Sequence, residues 1–309
     1  MRVYLPIAGM SVNLLLLLGL GGLVGFLSGL FGVGGGFIMT PLMMMAGIPP
    51  AVAAASDSNQ IVAGAASGAF AHWKLGNVDF KMGTVLLVGG VAGGTLGVQL
   101  VKVLRALGNI EFVMKALYVL MLSTIGGAMF WESLSTLRRG NRPASTASGK
   151  KKRASIWARL PLQLSFGQSN LRTSAIFPFL IAAVVGALAA LLGVGGGFIM
   201  VPAMIYVIGM PTIVAVGTDL FQIVITTANV TLQQAITNHN VDLLLAMLLL
   251  VGSTVGAQLG ARVGRRLRGE QIRVLLALIV LLFAVKFVVD LLFAPDNLIA
   301  VAGGQSGGH

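Results

Sequence analysis

No cysteine occurs anywhere in the 309 residues, which removes disulfides and thiolate metal sites at once. Histidine occurs three times, once as the C-terminal residue, too thinly spread for a histidine-based metal centre. Charged residues make up 10% of the chain against 56% hydrophobic, and the mean hydropathy is +0.93. A soluble globular domain carries far more charge than this. Catalytic signatures are missing as well. There is no Gly-x-x-x-x-Gly-Lys-Ser/Thr phosphate loop, no His-Glu-x-x-His and no pair of carboxylates spaced for acid–base work. Gly64-Ala-Ala-Ser-Gly is one residue too long for the Gly-x-Ser-Gly signature of intramembrane proteolysis. Neither a cofactor nor an enzymatic activity is expected, and ATP-driven transport by this chain alone is unsupported.

What the chain has instead is apolar length. Ten uncharged or nearly uncharged segments follow one another: Val12–Phe31, Phe37–Gly47, Pro50–Ala71, Gly83–Val101, Ala116–Trp131, Ser174–Leu192, Phe198–Gly209, Pro211–Ile236, Leu243–Ala261 and Val274–Phe293. Runs near 20 residues long are membrane spans, and the 42 glycines suit close helix packing within a bilayer. The expected fold class is an all-α polytopic membrane protein. Arg2 ahead of the Leu14–Leu18 run resembles a secretory signal, but no small-x-small cleavage site ends that run before Gly32, so an uncleaved first span is expected.

The order of the segments repeats. Gly32-Val-Gly-Gly-Gly-Phe-Ile-Met returns as Gly193-Val-Gly-Gly-Gly-Phe-Ile-Met, with Pro41 answered by Pro202. After a one-residue insertion Asp57 matches Asp219 and Gln60 matches Gln222; Asn77-Val-Asp answers Asn240-Val-Asp, and Gly97-Val-Gln-Leu is matched to Gly256-Ala-Gln-Leu. The expected organisation is a first transmembrane repeat at 1–132, a basic cytoplasmic linker at 133–172, a second repeat at 173–293 and a flexible tail at 294–309. Each repeat is a glycine-broken helical hairpin plus three transmembrane helices. Leu160, Leu162, Leu164 and Phe166 alternate as a short strand or irregular segment on the interface would.

The formal charge of +12 points to nucleic acid until its placement is considered. Nine basic and no acidic residues fall between Ser133 and Arg172, and five arginines fall in Arg262–Arg273. Such clusters between apolar spans are cytoplasmic anchors for a lipid bilayer; no nucleic-acid partner is expected. If each glycine break turns the chain back to the side it entered from, 16 of the 21 Lys and Arg share one face. If each glycine segment crosses once, the split is 13 to 8. The positive-inside rule favours the first arrangement. Both termini then lie outside, the central basic loop is cytoplasmic, and the two repeats run through the membrane in opposite directions. Phe37–Gly47 spans about 16 Å as a helix, so its turn at Gly47–Pro50 lies recessed in a vestibule.

Candidate binding residues sit at the breaks and in the polar stretch that follows each. Gly32, Gly34, Gly35 and Gly36, and Gly193, Gly195, Gly196 and Gly197, feed new helices whose free N–H groups attract anions. Glycine used purely for close packing is the alternative reading. Asp57 and Gln60, like Asp219 and Gln222, are three apart on one helix face, and Thr226 extends the second face where the first has Gly64. Ser56, Asn59, Gln60, Thr218 and Gln222 are candidates to hydrogen-bond a polar substrate. Asp57 and Asp219 either cap the neighbouring broken helix or exchange a proton. Asn229, Gln233 and Gln234 either line a path or join helices. Lys286 and Asp290 are expected to pair locally, and His72 and His239 to lie near the interface.

Two copies of Gly-x-Gly-Gly-Gly-Phe-Ile-x-x-Pro, each followed by a Gly/Pro turn and a Ser/Thr-Asp-x-x-Gln stretch, resemble the TauE/SafE family of sulfite and organosulfonate exporters. The resemblance covers about Leu14–Trp131 and Ser174–Phe293. It implies a bacterial inner-membrane protein that moves small sulfur-containing anions, sulfite or sulfonates, out of the cytoplasm by alternating access, with or without proton coupling. It also implies that the glycines named above and the polar residues around Asp57 and Asp219 form the site. The first copy departs from the second at Ser58 and Asn59, where the second has Leu220 and Phe221, so the halves are expected to contribute unequally. A passive anion channel, or a carrier of another small carboxylate or oxyanion, would use the same residues.

Overall fold

Each apolar segment becomes a helix in the computed structural model, which describes residues 2–31, 36–138, 163–166, 171–264 and 269–292. A hairpin of β1 (Arg2–Leu5) and β2 (Met10–Asn13) leads into α1 (Leu14–Phe31), followed by α2 (Gly36–Met45), α3 (Pro50–Lys74), α4 (Phe80–Ala106) and α5 (Ile110–Arg138). A second hairpin, β3 (Gln163–Phe166) with β4 (Leu171–Ser174), leads into α6 (Ile176–Leu192), α7 (Gly197–Pro202), α8 (Thr212–Gln233), α9 (Leu243–Gly264) and α10 (Gly269–Leu292). Arg2 pairs with Asn13 and Gln163 with Ser174, so the two hairpins lie 161 positions apart in the same register. The repeat thus reaches back beyond the apolar spans, and β3 and β4 occupy a stretch that the composition assigns mostly to the linker.

Four helices are long and apolar enough to cross a membrane among the described residues: Phe80–Ala106, Thr212–Asn238, Leu243–Gly260 and Leu275–Leu292. Shorter apolar helices cover Leu14–Ser28, Gly36–Met45, Ile176–Leu192 and Gly197–Ile208. Large apolar side chains such as Leu15, Leu96, Val184, Ile213 and Val285 are exposed along these helices. Contiguous apolar surface on this scale is bilayer-facing surface. The chain is a multi-pass membrane protein.

Local chemistry sets the helix boundaries. Pro49 and Pro211 occupy the N-caps of α3 and α8, where the missing N–H of proline is no loss. Asp79 and Asp242 start α4 and α9, their Oδ1 atoms accepting the N–H of Met82 and Leu245 at 3.1 Å. The second repeat carries one extra residue between Pro202 and Pro211, and another between Gln222 and Asn240. At each of these places the helix widens to π geometry, over Ala203–Ile208 and Gln234–Asn238, while the first repeat stays α-helical. The i→i+5 turn takes up one more residue without breaking the helix.

The halves interlock through exchanged helices. The first helix of each packs against the fourth of the other, α1 on α9 and α6 on α4, while α3 meets α8 and α5 meets α10. The contacts are made backbone to backbone. Gly252, Gly256 and Gly260 rest on the carbonyls of Leu18, Gly22 and Phe26; Gly89, Gly93 and Gly97 rest on those of Phe179, Ala183 and Ala187. Both pairs of helices therefore run parallel. Small residues every fourth position allow this approach, and in lipid close packing of this kind joins helices. These contacts correct the sequence alignment: Gly97 is equivalent to Gly260, one helical turn beyond the Gly256 that its Gly-x-Gln-Leu neighbours suggest. A register that repeats every four residues can be matched one turn out.

The end of α2 returns to where α1 began. The Cβ position of Gly47 lies 3.7 Å from Met10 Cε. At that same end Ile7 N–H donates to Asp242 Oδ2 at 3.1 Å, and Arg105 donates to Asn238 O at 2.9 Å and to Asn240 Oδ1 at 2.6 Å. A cavity of about 300 Å³ opens there, lined by residues of the Gly47–Pro50 turn with Glu111, Lys115, Phe287 and Asp290. Glu111 pairs with Lys115 at 2.7 Å and Lys286 with Asp290 at 2.5 Å.

A Cβ on Gly256 would strike the Gly22 carbonyl, whereas one on Gly22 has 3.8 Å to the Gly252 carbonyl. Gly256→Ala is expected to lower stability by about 1–3 kcal/mol, the usual range for overpacking. Gly22→Ala is expected to be tolerated. Thermal unfolding in detergent compares the two.

Candidate functional site

The second glycine break is built from backbone that other residues cannot adopt. Gly193, Gly195 and Gly196 have φ of 73°, 74° and 86°, the left-handed region that glycine enters without a steric cost. Gly193 ends α6 and Gly197 begins α7, so the helix is interrupted over a few buried residues. Ile199 and Met200 donate to Gly196 O at 3.0 and 2.8 Å. The N–H groups of Val194, Gly195, Gly196, Gly197 and Phe198 find no protein acceptor among the described residues. Buried amides are almost always paired, so a run of five without acceptors among the described residues, four of them on buried residues, is a candidate place for a ligand acceptor. Gly32, Gly34 and Gly35 of the first break lie outside the described residues.

The start of α2 meets the second break. Phe37 and Phe198, each just past its break and each buried, stack with ring centroids 4.2 Å apart and planes 8° from parallel. A Cβ on Gly36 would sit 3.1 Å from Val194 O. Ile61 of α3 fills the space beside both, against Gly36 and Gly195, and the Gly193 backbone presses on Ala54. In this conformation apolar side chains pack closely around the junction.

Polar groups cross between the halves in matched pairs. Ser56 Oγ accepts the Asp242 N–H at 3.1 Å, and Thr218 Oγ1 accepts the Asp79 N–H at 3.0 Å. Each half thus caps the fourth helix of the other. Ser56 and Thr218 are fully buried and take up this joining role.

Next to them the symmetry fails. In α8, Thr226 Oγ1 donates to Gln222 Oε1 at 3.0 Å, and Gln222 Nε2 donates to Asp219 Oδ1 at 3.0 Å. Asp219 Oδ2 lies against Gly197 of the break, 2.9 Å from where a Cβ would stand. In α3, Asp57 Oδ2 accepts from Thr40 Oγ1 at 2.8 Å, but Asp57 Oδ1 and Gln60 Oε1 have no partner among the described residues. One difference in sequence bears on Gln60: Gly64 stands where Thr226, the donor to Gln222 Oε1, stands in the second half. Packing differs in the same sense. A Cβ on Gly90 of α4 would stand 2.9 Å from Thr226 Oγ1, whereas nothing lies within 4 Å of the corresponding point on Gly64.

Of the residues singled out from the sequence, Gly36, Gly193 and Gly195 meet α3 at Ile61 and Ala54, and Gly197 meets Asp219 of α8, which is linked through Gln222 to Thr226. Asn59 is half-buried and joins none of these contacts. Gln233 and Gln234 act between helices, Gln233 donating to Thr95 Oγ1 at 2.8 Å and Gln234 to Ala190 O at 3.2 Å; Asn229 accepts from Gln233 within α8, and its Nδ2 has no partner among the described residues. Sequence reasoning missed Thr40 and Tyr118. The Tyr118 hydroxyl, fully buried, donates to Leu192 O at the mouth of the second break. Thr40 precedes the repeated Pro41, but the second copy has Val201 there, so the repeat itself hid it. Asp79 and Asp242 belong to the repeated Asn-Val-Asp, which had been used as an alignment anchor alone.

Two interlocked halves, apolar outside and meeting at broken helices within, make a membrane transporter. The family model described as "Sulfite exporter TauE/SafE" matches residues 17–287. The chain belongs to that family. It is 29% identical over 284 residues to "Probable membrane transporter protein YjnA" of Bacillus subtilis, covering 90% of this chain and 100% of that protein. A "Probable membrane transporter protein" of Xylella fastidiosa is 29% identical over 224 residues, 70% of this chain and 74% of its own length. "Sulfite exporter TauE/SafE family protein 6" of Arabidopsis thaliana is 39% identical over 75 residues, 24% of this chain and 18% of that one. No solved structure matches the chain.

Thr226→Val strands the Gln222 oxygen and is expected to reduce stability by about 1–3 kcal/mol. Gly64→Thr supplies the donor that Gln60 lacks, in open space, and is expected to raise the unfolding temperature. Thermal unfolding of both variants beside the unmodified protein reads the two signs.

Proposed function

We propose that the chain is a secondary transporter that carries a small sulfur-containing anion, sulfite or an organosulfonate, out of the cytoplasm across a bacterial inner membrane by alternating access. The observation that carries this reading is the set of backbone N–H groups at Val194–Phe198, four of them on buried residues, with no acceptor among the described residues. Such amides receive an oxyanion without a buried cation. No lysine or arginine occurs between Val3 and Trp73 or between Thr173 and Ala261, so main-chain nitrogen is what these segments have to offer. The proposed site comprises the glycines of both breaks with Asp57, Gln60, Asp219, Gln222 and Thr226.

Inverted repeats fit the packing. Gly47 near Met10 supports a re-entrant first hairpin, and the exchanged helix pairs support a pseudo-two-fold relation between the halves. With the basic linker in the cytoplasm, both termini lie outside. Alternating access is supported by the mismatch between α8, tight on α4, and α3, which leaves Gly64 in open space: one flank of the site is sealed while the other is loose. Outward movement of an anion gains about 2.3 kcal/mol per charge per 100 mV in a cell negative inside.

The test is counterflow in proteoliposomes. Labelled sulfite or a labelled sulfonate outside is expected to accumulate against its gradient when the unlabelled anion is loaded within. Rapid flux without counterflow would mean a passive channel, and no flux with any small anion would remove the reading. Gly195→Ala, which sets a Cβ on a positive φ, 2.9 Å from Ile61, is expected to weaken exchange by about tenfold or more, equivalent to about 1.4 kcal/mol.

A further inference from the structure

Two buried oxygens in the first half lack a donor among the described residues. Asp57 is fully buried; its Oδ2 is taken by Thr40, and its Oδ1 meets no donor among the described residues. Gln60, one turn further along the same face and 9% exposed, leaves Oε1 equally bare. Both atoms are acceptors, so an anion cannot satisfy them; what they require is hydrogen. The second half shows the same positions satisfied, with Thr226 donating to Gln222 and Gln222 to Asp219.

We infer that the Asp57–Gln60 face of α3 is the proton-binding site of the transport cycle, with Asp57 taking up the proton on Oδ1 and Gln60 Oε1 accepting the resulting hydrogen bond, while Asp219 holds the second break in shape. This rests on the transport reading and deepens it, because it separates two aspartates that the repeat makes look equivalent. The step is a simple protonation: the carboxylate becomes a carboxylic acid and gives the proton up on the other side. A buried donorless acceptor is expensive to leave bare, so a proton supplies what the fold omits.

The surroundings agree. Among the elements packed against α3, α2 and α6 carry no ionisable side chain. α8 contributes Asp219, whose Oδ1 is engaged by Gln222; α9 contributes Asp242 at its start, which accepts from Ile7 and Leu245. From α5 Tyr118 comes near, but its hydroxyl proton goes to Leu192. The remaining charges on α5 and α9 lie towards their ends, as does His72 on α3 itself. A proton on Asp57 removes a negative charge beside the break, so proton and anion favour each other's binding and travel together. For a monovalent anion such a cycle is electroneutral, and the voltage no longer drives it.

The test uses methanesulfonate, an anion with no titrating proton of its own near neutrality. In proteoliposomes holding a pH dye, a methanesulfonate gradient is expected to move protons with the anion. Whatever anion flux each variant retains, the protons moved per anion should stay near one in Asp219→Asn and fall towards zero in Asp57→Asn. A ratio that is unchanged in Asp57→Asn, equally lost in Asp219→Asn, or replaced by a sodium requirement overturns the assignment. Exchange of methanesulfonate without any proton movement overturns the proton site and leaves the transport reading standing. An infrared titration of purified protein decides the matter independently of transport. A protonated-carboxyl C=O band should titrate in the unmodified protein and in Asp219→Asn, vanish in Asp57→Asn, and move to higher frequency in Gln60→Leu. No titrating band, or one that vanishes with Asp219, overturns the inference even if no anion is transported.

Discussion

A backbone amide in hydrocarbon has no water to fall back on, and that requirement shapes the whole molecule. Breaking a helix within a membrane protein exposes several such groups at once. Here the second break is tolerable because the other half closes over it: Ala54 and Ile61 of α3 cover its glycines, Phe37 stacks on Phe198, and Tyr118 satisfies the Leu192 carbonyl at the end of α6. The exchanged helices bring the halves close enough for this. Without the glycine faces that let α1 lie on α9 and α6 on α4, the breaks would face lipid. Binding chemistry and packing are therefore one problem in this protein, since the groups left over after packing are the ones offered to a ligand.

Much of the architecture was legible because repeats are visible in letters. The ten segments, the twin breaks and the local Lys286–Asp290 pair all follow from spacing and composition. What escaped did so for physical reasons. The alternation ending at Phe166 allowed for a short strand, but the hairpin at Arg2–Asn13 and the pairing of Gln163–Phe166 with Leu171–Ser174 are too short and too mixed in polarity to announce themselves, and their equivalence lies in register rather than in residue identity. The glycine ladders misled, because a four-residue period permits neighbouring registers and backbone contact decides between them. The one-residue insertions could be counted, but not that each would be absorbed as a π turn.

At the site, residue types were easier to find than their partners. The repeat pointed to Asp57 and Asp219 together, and burial confirms that both are enclosed. It also encouraged treating them alike. Part of the difference around them comes from a residue with no side chain, Gly64, felt at Gln60 as a missing hydroxyl one turn away. Ser56 and Thr218 look like ligand-binding hydroxyls in sequence; in three dimensions each accepts an amide from the opposite half, a partner more than 130 positions away.

The exchanged packing of α1 also bears on how the protein is made. Its main partner, α9, begins at Leu243, so the ribosome must add roughly 200 further residues before α1 has its groove. At about 5–20 residues per second that is a wait of roughly 10–40 s. During this interval a helix with glycines along one side stands in the bilayer alone, held by its own hydrogen bonds. Assembly of this molecule is late and collective, and neither half completes its fold before the other has been synthesised.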